Sequence, residues 1–176
     1  MTGSEVRAVL ALGSNLGDRA AEIRAAVAEI ADTDGIRLTA ASNLVQSTAV
    51  RLTGADETAP RYLNAVVAIA TTLSPAQLLH QVNAIEDDHG RVRDERWGDR
   101  TLDIDIITYG DLVQDDPGLT LPHPRAADRA FVLAPWLEIA PDGVLPGRGR
   151  IDALLAALPS EDAVSVWPAD SMGSTR

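Results

Sequence analysis

The chain reads as an α+β protein, an antiparallel sheet with helices packed on one face and helical additions toward its C-terminal end. Three observations predict this. Residues 62–71 and 101–107 place alternate side chains on opposite faces with period 2, as strands do. Two other stretches carry an apolar stripe at helical spacing, Ile23–Ala26–Val27–Ile30 and Leu78–Val82–Ile85. Along the chain these units follow one another as strand, helix, strand, strand, helix, strand.

Val6 to Leu12 is the first strand, and Gly13 to Asp18 reads as a turn that starts a helix. The helix behind it ends at Asp32 to Gly35. The second strand lies within Ile36 to Ala49, with Ile36, Leu38 and Ala40 on one face. Val50 to Pro60 reads as a loop long enough to be functional. In the third strand Leu63, Ala65, Val67 and Ile69 share one face, and Tyr62, Asn64, Val66 and Ala68 share the other. Ser74, Pro75 and Gln77 form a capping box with proline at the first helical position, and the helix runs to about Gly90. The fourth strand is Thr101 to Ile107. The resulting βαββαβ order is the ferredoxin-like arrangement, which leaves the sheet face opposite the helices available for a site.

Beyond Gly110, Asp115 to Gly118 is a turn and Leu119 to Pro124 a proline-bounded extended segment. Asp128 to Glu138 reads as a helix kinked or interrupted at Pro135, and Ile151, Leu154, Leu155 and Leu158 predict one more short helix. Residues 1–158 are expected to form one domain, and residues 159–176, polar and rich in small residues, a poorly ordered tail.

Composition narrows the chemistry. The chain has 176 residues, 45% of them hydrophobic, enough for one domain with its own core. A net charge of −11 argues against a non-specific nucleic-acid surface. All 15 basic residues are arginine, so neither a P-loop lysine nor a Schiff-base lysine is available. Cysteine is absent, which removes disulfides, zinc–thiolate sites and thiol nucleophiles. No signal peptide and no apolar run of about 18 residues is present, so the expected location is the cytoplasm, with no membrane partner.

The richest stretch is Arg91 to Ile107, RVRDERWGDRTLDIDII. Asp103 and Asp105 stand at i,i+2 on one strand face, roughly 6–7 Å apart at Cα. Two carboxylates so close repel unless a cation lies between them, and oxygen ligands suit Mg²⁺. Arg91, Arg93, Arg96 and Arg100 lie just upstream, with Trp97 among them. Guanidinium groups match phosphate oxygens in bidentate fashion. Alone, an Asp-x-Asp is often a solvated face and an arginine loop a solvated surface. Together they point to a metal–polyphosphate site.

The chain resembles the 6-hydroxymethyl-7,8-dihydropterin pyrophosphokinases of folate biosynthesis. The matching pieces are GSNLGDR, YLNAVV, IEDDHGRVRDERWGDRTLDIDII and LTLPHPRAADRAFVLAPWLEIAP, which together span most of residues 8–141. The resemblance implies transfer of pyrophosphate from ATP to the pterin hydroxymethyl group with release of AMP. It implies two Mg²⁺ ions held by Asp103 and Asp105, with Arg91 and Arg100 acting beside them at the reacting phosphates. Glu86, Arg93, Ile106, Thr120, His123 and Arg129 would contact ATP. Thr48, Tyr62, Asn64, Trp97 and Phe131 would contact the pterin, Tyr62 and Phe131 as the two rings around it, with Trp97 on a loop that closes over the site. ATP as co-substrate and the dihydropterin would be the only partners, and the protein a monomer. One departure is Asp99, which stands where a proline is common in the family and puts a carboxylate between Trp97 and Arg100. Two other readings share the carboxylate–arginine pattern: a two-metal phosphodiesterase or nucleotidyl transferase, and a non-catalytic pterin or nucleotide sensor.

Overall fold

The computed structural model describes residues 4–14, 18–47, 50–51, 54–55, 62–89, 102–159 and 164–166. In chain order the elements begin with β1 (Val6–Ser14), α1 (Arg19–Ala31), β2 (Ile36–Ala41), β3 (Val45–Ser47), β4 (Val50–Arg51), β5 (Gly54–Ala55), β6 (Tyr62–Thr71) and α2 (Pro75–Asp88). They continue with β7 (Asp103–Tyr109), β8 (Gln114–Asp116), β9 (Leu119–Leu121), a 3-10 turn (Ala126–Asp128) and α3 (Ala130–Ile139). The last are β10 (Val144–Leu145), β11 (Gly149–Arg150), α4 (Ile151–Ala156) and β12 (Ser165–Val166).

The main sheet has the order β12-β3-β6-β1-β7, and every pairing in it is antiparallel. β2 also pairs with β6, beyond the end of β3. Between β2 and β3 the ladder is continued by Ser42: its N–H donates to the Val66 carbonyl at 2.9 Å and its Oγ accepts from the Val66 N–H at 2.9 Å. The two long strands β1 and β6 therefore sit in the middle of the sheet, where both edges of each are satisfied.

One face is closed by α1 and α2. The stripe Ile23, Ala26, Val27 and Ile30 and the stripe Leu78, Val82 and Ile85 pack onto Leu10, Leu12, Leu63, Ile69, Ile104 and Ile106. Local signals start both helices where the sequence predicts. The Asp18 side chain accepts from the Ala21 N–H at 3.1 Å. Ser74 and Gln77 make both bonds of the capping box, with Pro75 beginning α2.

The other face is divided. Val132, Leu133 and Trp136 of α3, with Ile151 of α4, cover Val9, Ala11, Val66 and Ile107. The helical additions thus occupy part of the face that the βαββαβ order leaves free, and the remainder, near the C-terminal end of β1, forms a cavity. In β7 the pairing shifts between Val9 and Leu10, which leaves Ile107 as an extra residue. The bulge absorbs a change of phase beside the site, so Asp103 and Asp105 keep the open face while Tyr109 still packs on the helix-covered core.

Several expectations need revision. β1 does not stop at Leu12 but continues paired through Gly13 and Ser14. The Val50–Pro60 stretch contains a short hairpin, β4–β5; residues 52–53 and 56–60 lie outside the described residues. α3 begins at Ala130, because Arg129 is extended and a 3-10 turn precedes it, and it runs through Pro135 without ending. Of the expected tail, Ser165–Val166 pairs with β3 and extends the sheet edge, and residues 160–163 and 167–176 lie outside the described residues. No described helix is long and apolar enough to cross a membrane.

Candidate active site

Two cavities meet at β7. The first, of about 240 Å³, has a floor of small β1 residues, Ala11 and Gly13. Tyr62 and Asn64 of β6 stand on one side and Asp103 and Asp105 of β7 on the other, with Arg129 and Phe131 reaching in from the start of α3. This is what the sheet register dictates: Gly13 is paired with Asn64 on one flank and Asp103 on the other. The second cavity, of about 320 Å³, lies beyond the β7 edge. Asn83 and Glu86 of α2, Ile106 of β7, Thr120 of β9 and His123 line it, with Pro117 and Gly118 of the β8–β9 hairpin at its rim. Asp105 lines both cavities.

The electrostatics concentrate on that carboxylate. Its Oδ2 lies 3.9 Å from His123 Nε2 and 4.0 Å from an Arg129 guanidinium nitrogen. The Asp105 side chain is 46% exposed, so these long contacts hold it without sealing it. Burial pushes the His123 pKa below its ordinary value; the nearby Asp105 charge opposes this, and Arg129 and Arg125 reinforce it. The ring is therefore neutral near pH 7. The Arg125 backbone N–H donates to His123 Nδ1 at 3.2 Å, which leaves the ring proton on Nε2, the nitrogen that faces Asp105. A neutral imidazole with an outward N–H can donate to a phosphate oxygen while adding no charge of its own.

On the first cavity's wall, the Arg129 guanidinium sits 5.4 Å from the Phe131 ring centroid. Phe131 and Tyr62 are both half-buried, apolar rings lining the same space. Asn64 is 5% exposed, and its Nδ2 donates to Ser47 Oγ at 2.7 Å. A flat heterocycle with a polar edge suits this combination: rings for its faces, an amide for its edge. Asp103 and Asp105 could hold divalent cations. Among the described residues no group of three or more His, Cys, Asp or Glu side chains is placed to ligate an ion. Two half-exposed carboxylates fit Mg²⁺, which keeps waters and takes further oxygens from substrate phosphates.

Of the residues expected at the nucleotide, Glu86, Ile106, Thr120 and His123 come together in the second cavity. Arg129 lines the first instead, at the junction marked by Asp105. Tyr62, Asn64 and Phe131, expected at the heterocycle, share the first cavity with both aspartates. Arg91, Arg93, Arg96, Arg100, Trp97 and Thr48 lie outside the described residues. Sequence reasoning missed Gly13, Ser47 and Asn83. Gly13 was hidden by its turn-like neighbours, although it continues the phase of Val9 and Ala11. Asn83 lies three residues before Glu86 and so on the same helix face, a signal that could have found it. Ser47 carried no signal short of the β3–β6 register, which sets it opposite Tyr62.

Comparison with known proteins bears on this geometry. Residues 9–141 match the family model described as 7,8-dihydro-6-hydroxymethylpterin-pyrophosphokinase (HPPK). Three relatives carry the name 2-amino-4-hydroxy-6-hydroxymethyldihydropteridine pyrophosphokinase. The protein from Pseudomonas aeruginosa is 44% identical, with 88% of this chain and 93% of that one covered. That from Methylorubrum extorquens is 45% identical, covering 88% and 95%. That from Synechocystis is 40% identical, covering 92% and 79%. Among solved structures, wild-type Plasmodium falciparum HPPK-DHPS with pteroate superposes with a TM-score of 0.66 at 14% identity. It covers 89% of this chain but 43% of that longer one, so the likeness is one of fold. The match over residues 9–141, with full-length relatives at these identities, shows that the chain belongs to the 7,8-dihydro-6-hydroxymethylpterin pyrophosphokinase family.

Proposed function

We propose that the protein transfers the pyrophosphoryl group of ATP to the hydroxymethyl group of 6-hydroxymethyl-7,8-dihydropterin, with Asp103 and Asp105 holding two Mg²⁺ ions. The observation that carries this reading is the place of Asp105, the one described acidic residue lining both cavities. A ligand in each cavity would meet at that carboxylate.

Tyr62 and Phe131 bind the pterin faces and Asn64 its polar edge, so the hydroxymethyl group is directed toward the aspartate pair. Thr120, His123 and Asn83 orient the nucleotide from the far side of β7. His123 donates a hydrogen bond from its Nε2–H to a phosphate oxygen, and Arg129, beside Asp105, offsets phosphate charge at the junction. Asp103 and Asp105 would hold Mg²⁺, whose chemistry when bound would be to neutralise charge at the transferring phosphates. In the transfer the pterin hydroxyl oxygen forms a bond to the β-phosphorus and releases its proton to solvent water. The bond from the β-phosphorus to the α–β bridging oxygen breaks, and AMP leaves with that electron pair. Arg91 and Arg100 are proposed to stabilise the charge at this step. A monomer is proposed, since the described lining of both cavities forms two continuous sets of residues that share Asp105.

Calorimetric titration with a non-hydrolysable ATP analogue, Mg²⁺ and the dihydropterin tests the two-cavity arrangement. Both ligands bind together, one of each per chain. Mutually exclusive binding would refute it.

A further inference from the structure

Gly13 occupies an unusual place for a glycine. It lies inside a regular ladder, paired with Asn64 on one side and Asp103 on the other. Its backbone is not in the left-handed region, unlike that of Gly35, Gly110, Gly147 and Gly149. Conformation therefore gives no reason for glycine, and in a strand interior the residue weakens the sheet. Space gives the reason. A Cβ at position 13 would lie 2.9 Å from Asn64 Oδ1 and 3.9 Å from Tyr62 Cδ1. The Asn64 carboxamide leans into the gap that the missing side chain leaves, on the side of Asp103. Its other end is fixed by the 2.7 Å bond from Nδ2 to Ser47 Oγ. An amide 5% exposed, held at one end by a hydroxyl and given room at the other by a bare strand, has one place to stand.

We propose that Gly13 and Ser47 are positioning residues for Asn64, setting the height and orientation at which its amide meets the polar edge of a flat heterocycle in the first cavity. This rests on the functional reading above and adds what makes its polar contact specific. Ser47 links the short strand β3 to β6 at the cavity wall, and Gly13 sets the depth of the cavity floor between the amide and the aspartates. Both act on a contact made equally before and during phosphoryl transfer. Their loss should therefore raise KM for the pterin and leave kcat nearly unchanged.

The test uses the full chain and three variants: Ser47→Ala, Ser47→Thr and Gly13→Ala. Dissociation constants for 6-hydroxymethyl-7,8-dihydropterin and, separately, for a non-hydrolysable ATP analogue with Mg²⁺ are measured by calorimetry. Steady-state KM and kcat and thermal midpoints accompany them. Ser47→Ala and Gly13→Ala each weaken pterin binding by about tenfold, the worth of one buried hydrogen bond. Their ATP-analogue affinity stays within about twofold of the unsubstituted chain. Ser47→Thr, which keeps the hydroxyl, recovers most of what alanine loses. Unchanged pterin affinity in both alanine variants, equal losses for both ligands, or no recovery with threonine would overturn the proposal. Failure of the unsubstituted chain to bind the pterin at all would instead overturn the functional reading and this inference with it.

Discussion

Replacing Asp105 with alanine should separate function from fold more cleanly than any other single change. The carboxylate is 46% exposed, and its contacts with two basic side chains are long, 3.9 Å to His123 and 4.0 Å to Arg129. At about 4 Å a charge pair is worth roughly 1 kcal/mol in a water-like dielectric, before the cost of ordering two side chains. Net values for such pairs fall at about 0–1 kcal/mol. His123 is neutral near pH 7, which removes one of the two attractions. The substitution also relieves repulsion with Asp103 on the same strand face. Stability should therefore change by less than about 1 kcal/mol, a shift of at most about 4 °C in Tm for a domain of this size. Turnover should fall by about a thousandfold or more, equivalent to roughly 4 kcal/mol of barrier, because the proposed Mg²⁺ site loses one of its two carboxylates. Thermal denaturation and a steady-state assay with saturating ATP and Mg²⁺ measure the two effects side by side. A folded Asp105→Ala protein with near-normal turnover would refute the site. A collapse of Tm would refute the claim that the carboxylate is present for chemistry rather than for the fold.

Two further outcomes follow from other parts of the structure. Tyr62→Ala and Phe131→Ala should each weaken pterin binding more than ATP binding, since ring stacking adds about 0.5–1.5 kcal/mol beyond buried area; equal losses in calorimetry would mean that they act through stability instead. Stability should also depend on pH through His89, whose Nδ1 and Nε2 bond Glu22 at 2.5 Å and Glu29 at 3.2 Å across α1. Burial pulls its pKa down, but the hydrogen bonds and charges of the two glutamates together outweigh this and raise it above the ordinary value. A raised folded-state pKa contributes stability that is full below the unfolded value of about 6.5 and lost as pH rises through the folded one. The gap in urea midpoint between the unsubstituted chain and His89→Gln should therefore shrink from about pH 6 to about pH 9, and a gap that stays constant or grows would contradict the clasp.

How much of this was legible in the sequence depends on where each signal lives. The βαββαβ frame was legible because its helices expose one apolar stripe each and because Asp103, Asp105 and Tyr62 interrupt apolar strands with a clear phase. Asn64 was legible for the same reason: it shares a strand face with Tyr62. The edges were not. β3, β12 and the β4–β5 hairpin are two or three residues long, too short for periodicity, and their pairing is set by distant partners. The same holds for the junction. Arg129 reaches Asp105 only because an extended residue and a 3-10 turn set the start of α3. His89 meets Glu22 from 67 residues away. The bond between Ser47 and Asn64 is equally a product of register, and no local pattern announces it. Gly13 shows the subtler failure: its turn-like neighbours suggest a loop, while its value to the site lies in the side chain it lacks.

Product analysis tests the proposed pyrophosphoryl transfer most directly. The purified chain is incubated with ATP, Mg²⁺ and 6-hydroxymethyl-7,8-dihydropterin, and the nucleotide and pterin products are separated by chromatography. AMP and the pterin diphosphate are expected in equal amounts, with no ADP and no AMP when the pterin is left out. Pterin-dependent formation of ADP, or AMP release that does not need the pterin, would contradict that transfer.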